Sequence, residues 1–311
     1  MLRRFGAPGA VKATRRMAVA TAARPAPTAS GLDVDGLASA FWRDGVVCVP
    51  RYLDDATVDA LRERMSRYIA DEAAARRAAA TAEEKVEFST TTKSHAASTY
   101  FATSGDKVRF FLEAGCSDLG VSEATVNKVG HGLHIDGDLF QRFCARPDFG
   151  ALCRRVVGMR HPTAIQSMYI LKPPKVGGVV VPHVDSTWLH TTPVSVVGLW
   201  FALDDCDVNN SCLRVRKGSH WDPVTARCRL DAGSTTTTTT HGTLPTDDVD
   251  ALEPLECPKG SLVMFGGQTV HASGPNLSTK SRHAFVFHVV DDACRWDEDN
   301  WISPTVGRLA L

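Results

Sequence analysis

No stretch of this 311-residue chain reaches the roughly 18 consecutive apolar residues that a membrane-spanning helix needs. Its nine cysteines (Cys48, Cys116, Cys144, Cys153, Cys206, Cys212, Cys228, Cys257 and Cys294) include no Cys-x-x-Cys pair and no zinc-like spacing. An odd, dispersed set of thiols argues against a disulfide scaffold or a zinc ribbon, and for buried, reduced cysteines in an intracellular compartment. Net charge is also absent, since 35 basic residues balance 35 acidic ones. Six of the basic residues fall in positions 1–32, where there is no acid, so the remainder is mildly acidic. Such a body is a poor nucleic-acid binder. A small-molecule substrate is the expected partner.

The acid-free stretch 1–32 is rich in Arg, Ala, Ser and Thr and lacks the continuous apolar core of a secretory signal. That composition is expected of an organellar transit peptide, mitochondrial ahead of plastid. The competing reading is an untargeted disordered tail on a cytoplasmic protein. From residue 33 to 311 the pattern reads as a single domain.

Val34 to Arg43 is amphipathic and ends at Asp44-Gly45, after which Val46–Val49 reads as a buried strand. Asp54 or Asp55 caps a second helix, with Val58, Leu61, Met65 and Ile69 on one face and a solvated extension over 73–84. A further helix is expected over 138–157. After residue 160 short β-branched and aromatic runs follow one another, over 164–171, 178–181, 194–203, 211–215, 261–265, 269–272 and 283–290. Helices first and strands afterwards point to a mainly β fold with flanking helices, a β-sandwich or jelly roll. The run Thr235–Thr240 is expected to lie in a flexible surface loop over 232–246.

The chain has three His-x-Asp triplets, where about one is expected by chance, so the triplet by itself is a weak signal. His134-Ile135-Asp136 precedes a helix start, which makes Asp136 or Asp138 an N-cap. His220-Trp221-Asp222 is followed by Pro223 and reads as a turn. His183-Val184-Asp185 follows the apolar run Val179–Val181 and is the best candidate for a strand-borne pair aimed at one ion. Pro182 implies a strand edge or a bulge there. His271, 86 residues after Asp185, is the candidate third ligand. Two imidazoles and one carboxylate suit ferrous iron with three coordination sites left open. A structural zinc site would close its sphere with a fourth ligand and favour Cys. Arg282, at the head of the last strong strand run, is suited to grip a carboxylate through two hydrogen bonds.

With those residues in view, the chain resembles the phytanoyl-CoA dioxygenase family of iron(II)/2-oxoglutarate oxygenases, from about Leu37 to Ile302. The segment His271-x-Ser273-x-x-Asn276-x-Ser278-x-x-x-Arg282 follows the family's distal motif. Further similar stretches are Asn127-Lys128, Gly132–His134, Gln166–Ile170, Gly198–Trp200 and Gly218–His220. The resemblance implies a cupin-like double-stranded β-helix and Fe(II) on His183, Asp185 and His271. It also implies 2-oxoglutarate on Arg282, with Lys128, Met168, Trp200 and Ser273 lining the co-substrate pocket. The implied reaction consumes O2 and 2-oxoglutarate, releases succinate and CO2, and hydroxylates a small, acyl- or lipid-like substrate. Two other readings remain open: a sensor of the same fold with little turnover, and a metal-dependent cupin enzyme that does not use 2-oxoglutarate. The sequence departs from the family pattern at Ser211, where a glycine is usual, and at Lys217, where a proline is usual.

Overall fold

In the computed structural model the residues described are 31–79, 86–90, 98–231, 234–238, 248–303, 305 and 307–311. The basic N-terminal stretch 1–30 lies outside them. The architecture is built on a nine-stranded sheet. Its main path runs Val46–Val49, Leu262–Gly266, Val197–Ala202, Ala284–Asp291, Pro162–Ile170, Val126–His131, Val108–Glu113 and Glu87–Phe88. Leu309–Ala310 pairs beside Pro162–Ile170. A four-stranded sheet, ordered Glu253–Leu255, Leu213–Val215, His271–Ser273, Val180–His183, faces it. The two sheets form the jelly roll, and among the described residues they do not close into a barrel.

Alternation along the central strands sets the two sides of the large sheet. Leu199, Phe201, Phe285, Phe287 and Val289 pack in one cluster with Phe41, Val58, Leu61, Met65, Phe140, Phe143 and Phe149 from the helices. Trp200, Ala202, Ala284 and Val286 turn the other way and meet Leu213 and Val215 of the small sheet. The helices therefore cover one face, and the small sheet covers the other.

The first two helices follow their signals. Val34–Asp44 starts at the Asp33 cap and ends at Gly45, whose φ of 77° is the left-handed value glycine adopts without penalty. Asp54 caps Asp55–Ala78, which buries Val58, Leu61, Met65 and Ile69. Its expected extension ends at Ala78, and 80–85 lie outside the described residues. The seven expected strand runs after residue 160 each form a strand, with shifted ends.

Four expectations need correction. The helix predicted over 138–157 is three short pieces, Leu139–Cys144, Pro147–Leu152 and the π-helical Cys153–Val157. Pro147 starts a new helix because its ring forbids continuation of the preceding one. The order of helices before strands also fails, because Val108–Glu113 and Val126–His131 belong to the large sheet. Their polar members, including Glu113, Asn127, Lys128 and His131, are buried, so no apolar alternation marks them. The threonine run is not all loop: Ser234–Thr238 pairs antiparallel with Arg227–Asp231, as β-branched residues favour extended backbone. The remainder of the expected loop, 232–233 and 239–246, lies outside the described residues. Finally, Asp185 lies in the one-turn helix Asp185–Thr187 just past the strand Val180–His183, not on the strand.

Candidate metal centre

His183 and His271 are direct cross-strand partners at the edge of the small sheet. Paired residues project to the same side, so their rings stand 4.2 Å apart, centroid to centroid. Pro182 is compatible with this position because Val180–His183 is an edge strand, one of the two settings its sequence allowed. The chain then turns, and Ser186 donates its N–H to Gly267 O at 2.9 Å. A side chain at Gly267 would meet Ser186 Oγ at 2.5 Å and Val196 at 2.6 Å, so the close approach requires glycine there. This turn swings Asp185 back until Oδ1 lies 3.7 Å from Nε2 of both histidines. Among the described residues these three form the one group of His, Cys, Asp or Glu side chains spaced to hold a metal ion.

The tautomers are set by the backbone. His183 Nδ1 lies 2.9 Å from Val181 O, and His271 Nδ1 lies 3.0 Å from Thr269 O. Each Nδ1–H donates to its carbonyl, which leaves both Nε2 lone pairs aimed at the centre. The His183 side chain keeps 28% exposure, yet burial dominates its environment, with His271 next, and pushes its pKa down to about 4. It is therefore the neutral, ligating form at physiological pH. Burial pushes the Asp185 carboxyl upward, but the facing imidazoles of His288 and His271 outweigh it and hold the group well below the usual carboxylate range.

His288, which sequence reasoning missed, completes the arrangement. It projects from the strand Ala284–Asp291 of the large sheet, and its Nε2 donates to Asp185 Oδ2 at 2.9 Å. One carboxylate oxygen is thus occupied by the protein, while the other faces the two histidines. The sequence signal was its position in an otherwise apolar strand, on the same face as Ala284 and Val286.

The triad opens on a cavity of about 290 Å³ between the sheets. All eight site residues singled out from the sequence line it: His183, Asp185, His271, Arg282, Lys128, Met168, Trp200 and Ser273. Arg282 is 2% exposed. Its Nε donates to Ser211 O at 3.0 Å, but Nη1 has no partner, and among the described residues no carboxylate forms an ion pair with the guanidinium. Trp200 lies with its ring 5.7 Å from the Arg282 guanidinium carbon, and its Nε1 is also without a partner. Lys128 is buried too; its Nζ sits 3.5 Å over the Phe88 ring and 3.8 Å from Met168 Sδ. Burial pushes its pKa down to about 7. Aromatic side chains including Phe101, Trp188 and Trp301 form much of the remaining wall.

The other two triplets are structural. Asp138 caps Leu139–Cys144, Asp136 accepts from Tyr68 and from the Asp138 N–H, and His134 is buried against Ser167 and Gly307. His220 and Trp221 lie in the short turn Ser219–Trp221. All nine cysteines are free thiols, and none belongs to the metal-binding group. Cys206, Cys212 and Cys257 pack in the cluster that contains Trp200. No helix among the described residues is long and apolar enough to cross a membrane.

Comparison with known proteins agrees with this geometry. Residues 41–284 match the phytanoyl-CoA dioxygenase (PhyH) family. The phytanoyl-CoA dioxygenase domain-containing protein 1 homolog of Caenorhabditis elegans is 37% identical over 278 residues, covering 85% of this chain and 94% of that protein. Among solved structures, the non-heme alpha-ketoglutarate-dependent carbocyclase SnoK from nogalamycin biosynthesis superposes with a TM-score of 0.59 at 16% identity, covering 92% of this chain and 98% of that one. The epimerase SnoN, in complex with Fe3+, alpha-ketoglutarate and nogalamycin RO, gives 0.56 at 20% identity, covering 85% of each chain.

Proposed function

This chain belongs to the phytanoyl-CoA dioxygenase family of iron(II)/2-oxoglutarate oxygenases, and we propose that it hydroxylates a small, largely apolar substrate with release of succinate and CO2. The observation that carries the reading is Arg282: a guanidinium buried without a carboxylate, in the cavity onto which three metal-ligating atoms converge. An uncompensated buried charge is strongly unfavourable, and a dicarboxylate chelated at the centre would relieve it. The unpartnered Trp200 Nε1 and the Lys128 ammonium add two donors to the same cavity.

His183, Asp185 and His271 would hold the iron on one face, as the donor set of neutral imidazoles and a carboxylate suits. Bound there, iron supplies the activation of O2 for substrate oxidation, coupled to decarboxylation of the co-substrate. The protein's own contribution is positioning. The Val181 and Thr269 carbonyls orient the imidazoles, and His288 fixes the carboxylate rotamer. Arg282 would take the far carboxylate of 2-oxoglutarate, with Ser273, Met168 and Lys128 lining its path. The walls of Phe101, Trp188, Leu189 and Trp301 keep water from the reaction centre and favour an apolar substrate, such as an acyl chain. Arg154, Arg155 and Arg160 do not line the cavity.

Anaerobic titration of the apo-protein with ferrous iron and 2-oxoglutarate tests the reading. The expected result is a weak visible charge-transfer band that His183→Ala abolishes and that Arg282→Ala shifts to far higher 2-oxoglutarate. Iron binding without any such band, in a folded protein, would overturn it.

A further inference from the structure

Behind Arg282 the two sheets are joined by a buried polar chain that no metal ligand or cavity residue accounts for. Lys172 has no exposed surface. Its ammonium donates to Gly178 O and to Gly274 O, the latter at 3.2 Å. Gly178 leads into the strand that ends in His183, and Gly274 follows directly on His271–Ser273. Glu113, 2% exposed, holds the peptide before it: its Oε2 accepts from the Gly178 N–H at 3.1 Å. Gly178 is therefore held at its N–H and at its carbonyl by two buried side chains, each from a strand of the large sheet or its immediate extension.

The chain continues to the arginine. Gly274 O also accepts from Ser211 Oγ at 2.5 Å, and Ser211 O accepts from Arg282 Nε. Ser211 has a φ of 77°, a left-handed conformation that disfavours any residue with a Cβ, so these two bonds hold it in an unfavourable backbone state. The Lys172 carbonyl accepts from the Arg282 N–H at 3.2 Å and from Asn276 Nδ2 at 2.7 Å. Packing is tight enough that a side chain at Gly177 would meet Lys172 Cα at 2.9 Å. One residue thus touches the approach to His183, the exit from His271 and the backbone of Arg282.

We infer that Lys172 and Glu113 are positioning residues that set the distance between the iron-binding edge of the small sheet and the Arg282 guanidinium, and hence the fit of a five-carbon dicarboxylate between them. The inference rests on the proposed use of 2-oxoglutarate. The physical reason is that the span between a chelated keto acid and a distal carboxylate is fixed by covalent geometry, whereas two facing sheets can slide unless polar bonds pin them. Buried polar side chains between the sheets supply directional bonds that apolar packing lacks. Neither residue lines the cavity, so neither is expected to touch the co-substrate.

The test uses the full chain loaded with Co(II), a metal inert to O2 in this setting, whose visible spectrum reports ligation. Metal affinity is read by Co(II) titration, 2-oxoglutarate affinity by the spectral change it causes, and KM and kcat from 2-oxoglutarate consumption with ferrous iron. Lys172→Met keeps the stem of the side chain and removes the donors. It should weaken 2-oxoglutarate at least tenfold and raise its KM alike, while Co(II) affinity and kcat at saturation change less than threefold. If Lys172→Met does not fold, Glu113→Ala and Glu113→Gln decide: Ala should weaken 2-oxoglutarate tenfold, and Gln, which still accepts from Gly178, should restore it to within threefold. A folded Lys172→Met protein with wild-type 2-oxoglutarate affinity and only a lower melting temperature would overturn the inference and leave the proposed function standing. A wild type whose Co(II) spectrum ignores 2-oxoglutarate would sink both.

Discussion

The strand Ala284–Asp291 presents two contrasting faces. Phe285, Phe287 and Val289 enter an aromatic core under the helices, where Phe285 and Phe140 rings stand 5.0 Å apart and Phe287 and Phe149 rings 5.5 Å apart. Val286 and His288, one residue out of phase, line the cavity with Trp200 and Arg282. The first face is apolar and closely packed. The second keeps buried polar atoms without partners, among them Arg282 Nη1, Trp200 Nε1 and His288 Nδ1. Such atoms cost stability unless a ligand satisfies them, so stability and function are separated by the pleat of a single strand.

The comparison predicts opposite consequences for substitutions on the two faces. The largest effect belongs to the cavity face: Asp185→Ala should abolish 2-oxoglutarate consumption in a protein that still melts cooperatively. Next comes the core face. Phe287→Ala should cost about 3–5 kcal/mol by chemical denaturation, with ferrous iron affinity of the folded fraction unchanged. If both variants lose both properties together, the separation of faces is wrong.

Arg282→Met sharpens the comparison further. It should weaken 2-oxoglutarate by about a hundredfold or more, the effect of removing one partner of a desolvated charge pair. The melting temperature of the ligand-free protein should stay level or rise, because an uncompensated buried charge is gone. A large fall would show that the guanidinium stabilises the fold rather than awaiting a ligand. His288→Phe should reduce iron affinity by about 10–100-fold, as loss of a group that orients a metal ligand does. The smallest effect concerns pH. Burial lowers the pKa of His134 to about 4, against its ordinary value near 6.5. Between those values the unfolded chain binds the extra proton, so stability falls as pH drops from about 6.5 to 4. His134→Asn should flatten that part of the stability curve measured by denaturant titration.

Much of the site was legible because its residue types are chemically unusual in their setting. A His-x-Asp after an apolar run that breaks at Pro182 already indicated a strand edge or bulge, and cross-strand pairing with His271 then brought the rings together. The reason given for Asp185 was incomplete: a turn pinned by Gly267, rather than strand alternation, aims it. His288 was hidden because its only signature, one histidine in a strand of Phe and Val, does not say what the side chain faces. Lys172 and Glu113 were hidden too, since their partners are backbone atoms, which carry no side-chain signature, and Gly274 and the Glu113 partner Gly178 lie more than 60 residues away.

In the fold, elements defined by local chemistry were readable: the Asp54 cap, the Gly45 stop and the apolar face of Asp55–Ala78. Val108–Glu113 and Val126–His131 were not readable, because their polar members are buried only once the sheets and helices have closed over them. The sequence by itself determined the donor set, two imidazoles, a carboxylate and a guanidinium, since protonation and ligand preference belong to the side chains. Only the tertiary structure decided which lone pairs converge, which charge is left without a partner and how far apart the two ends of the cavity stand. Those are distances between segments remote along the chain, and no local pattern encodes them.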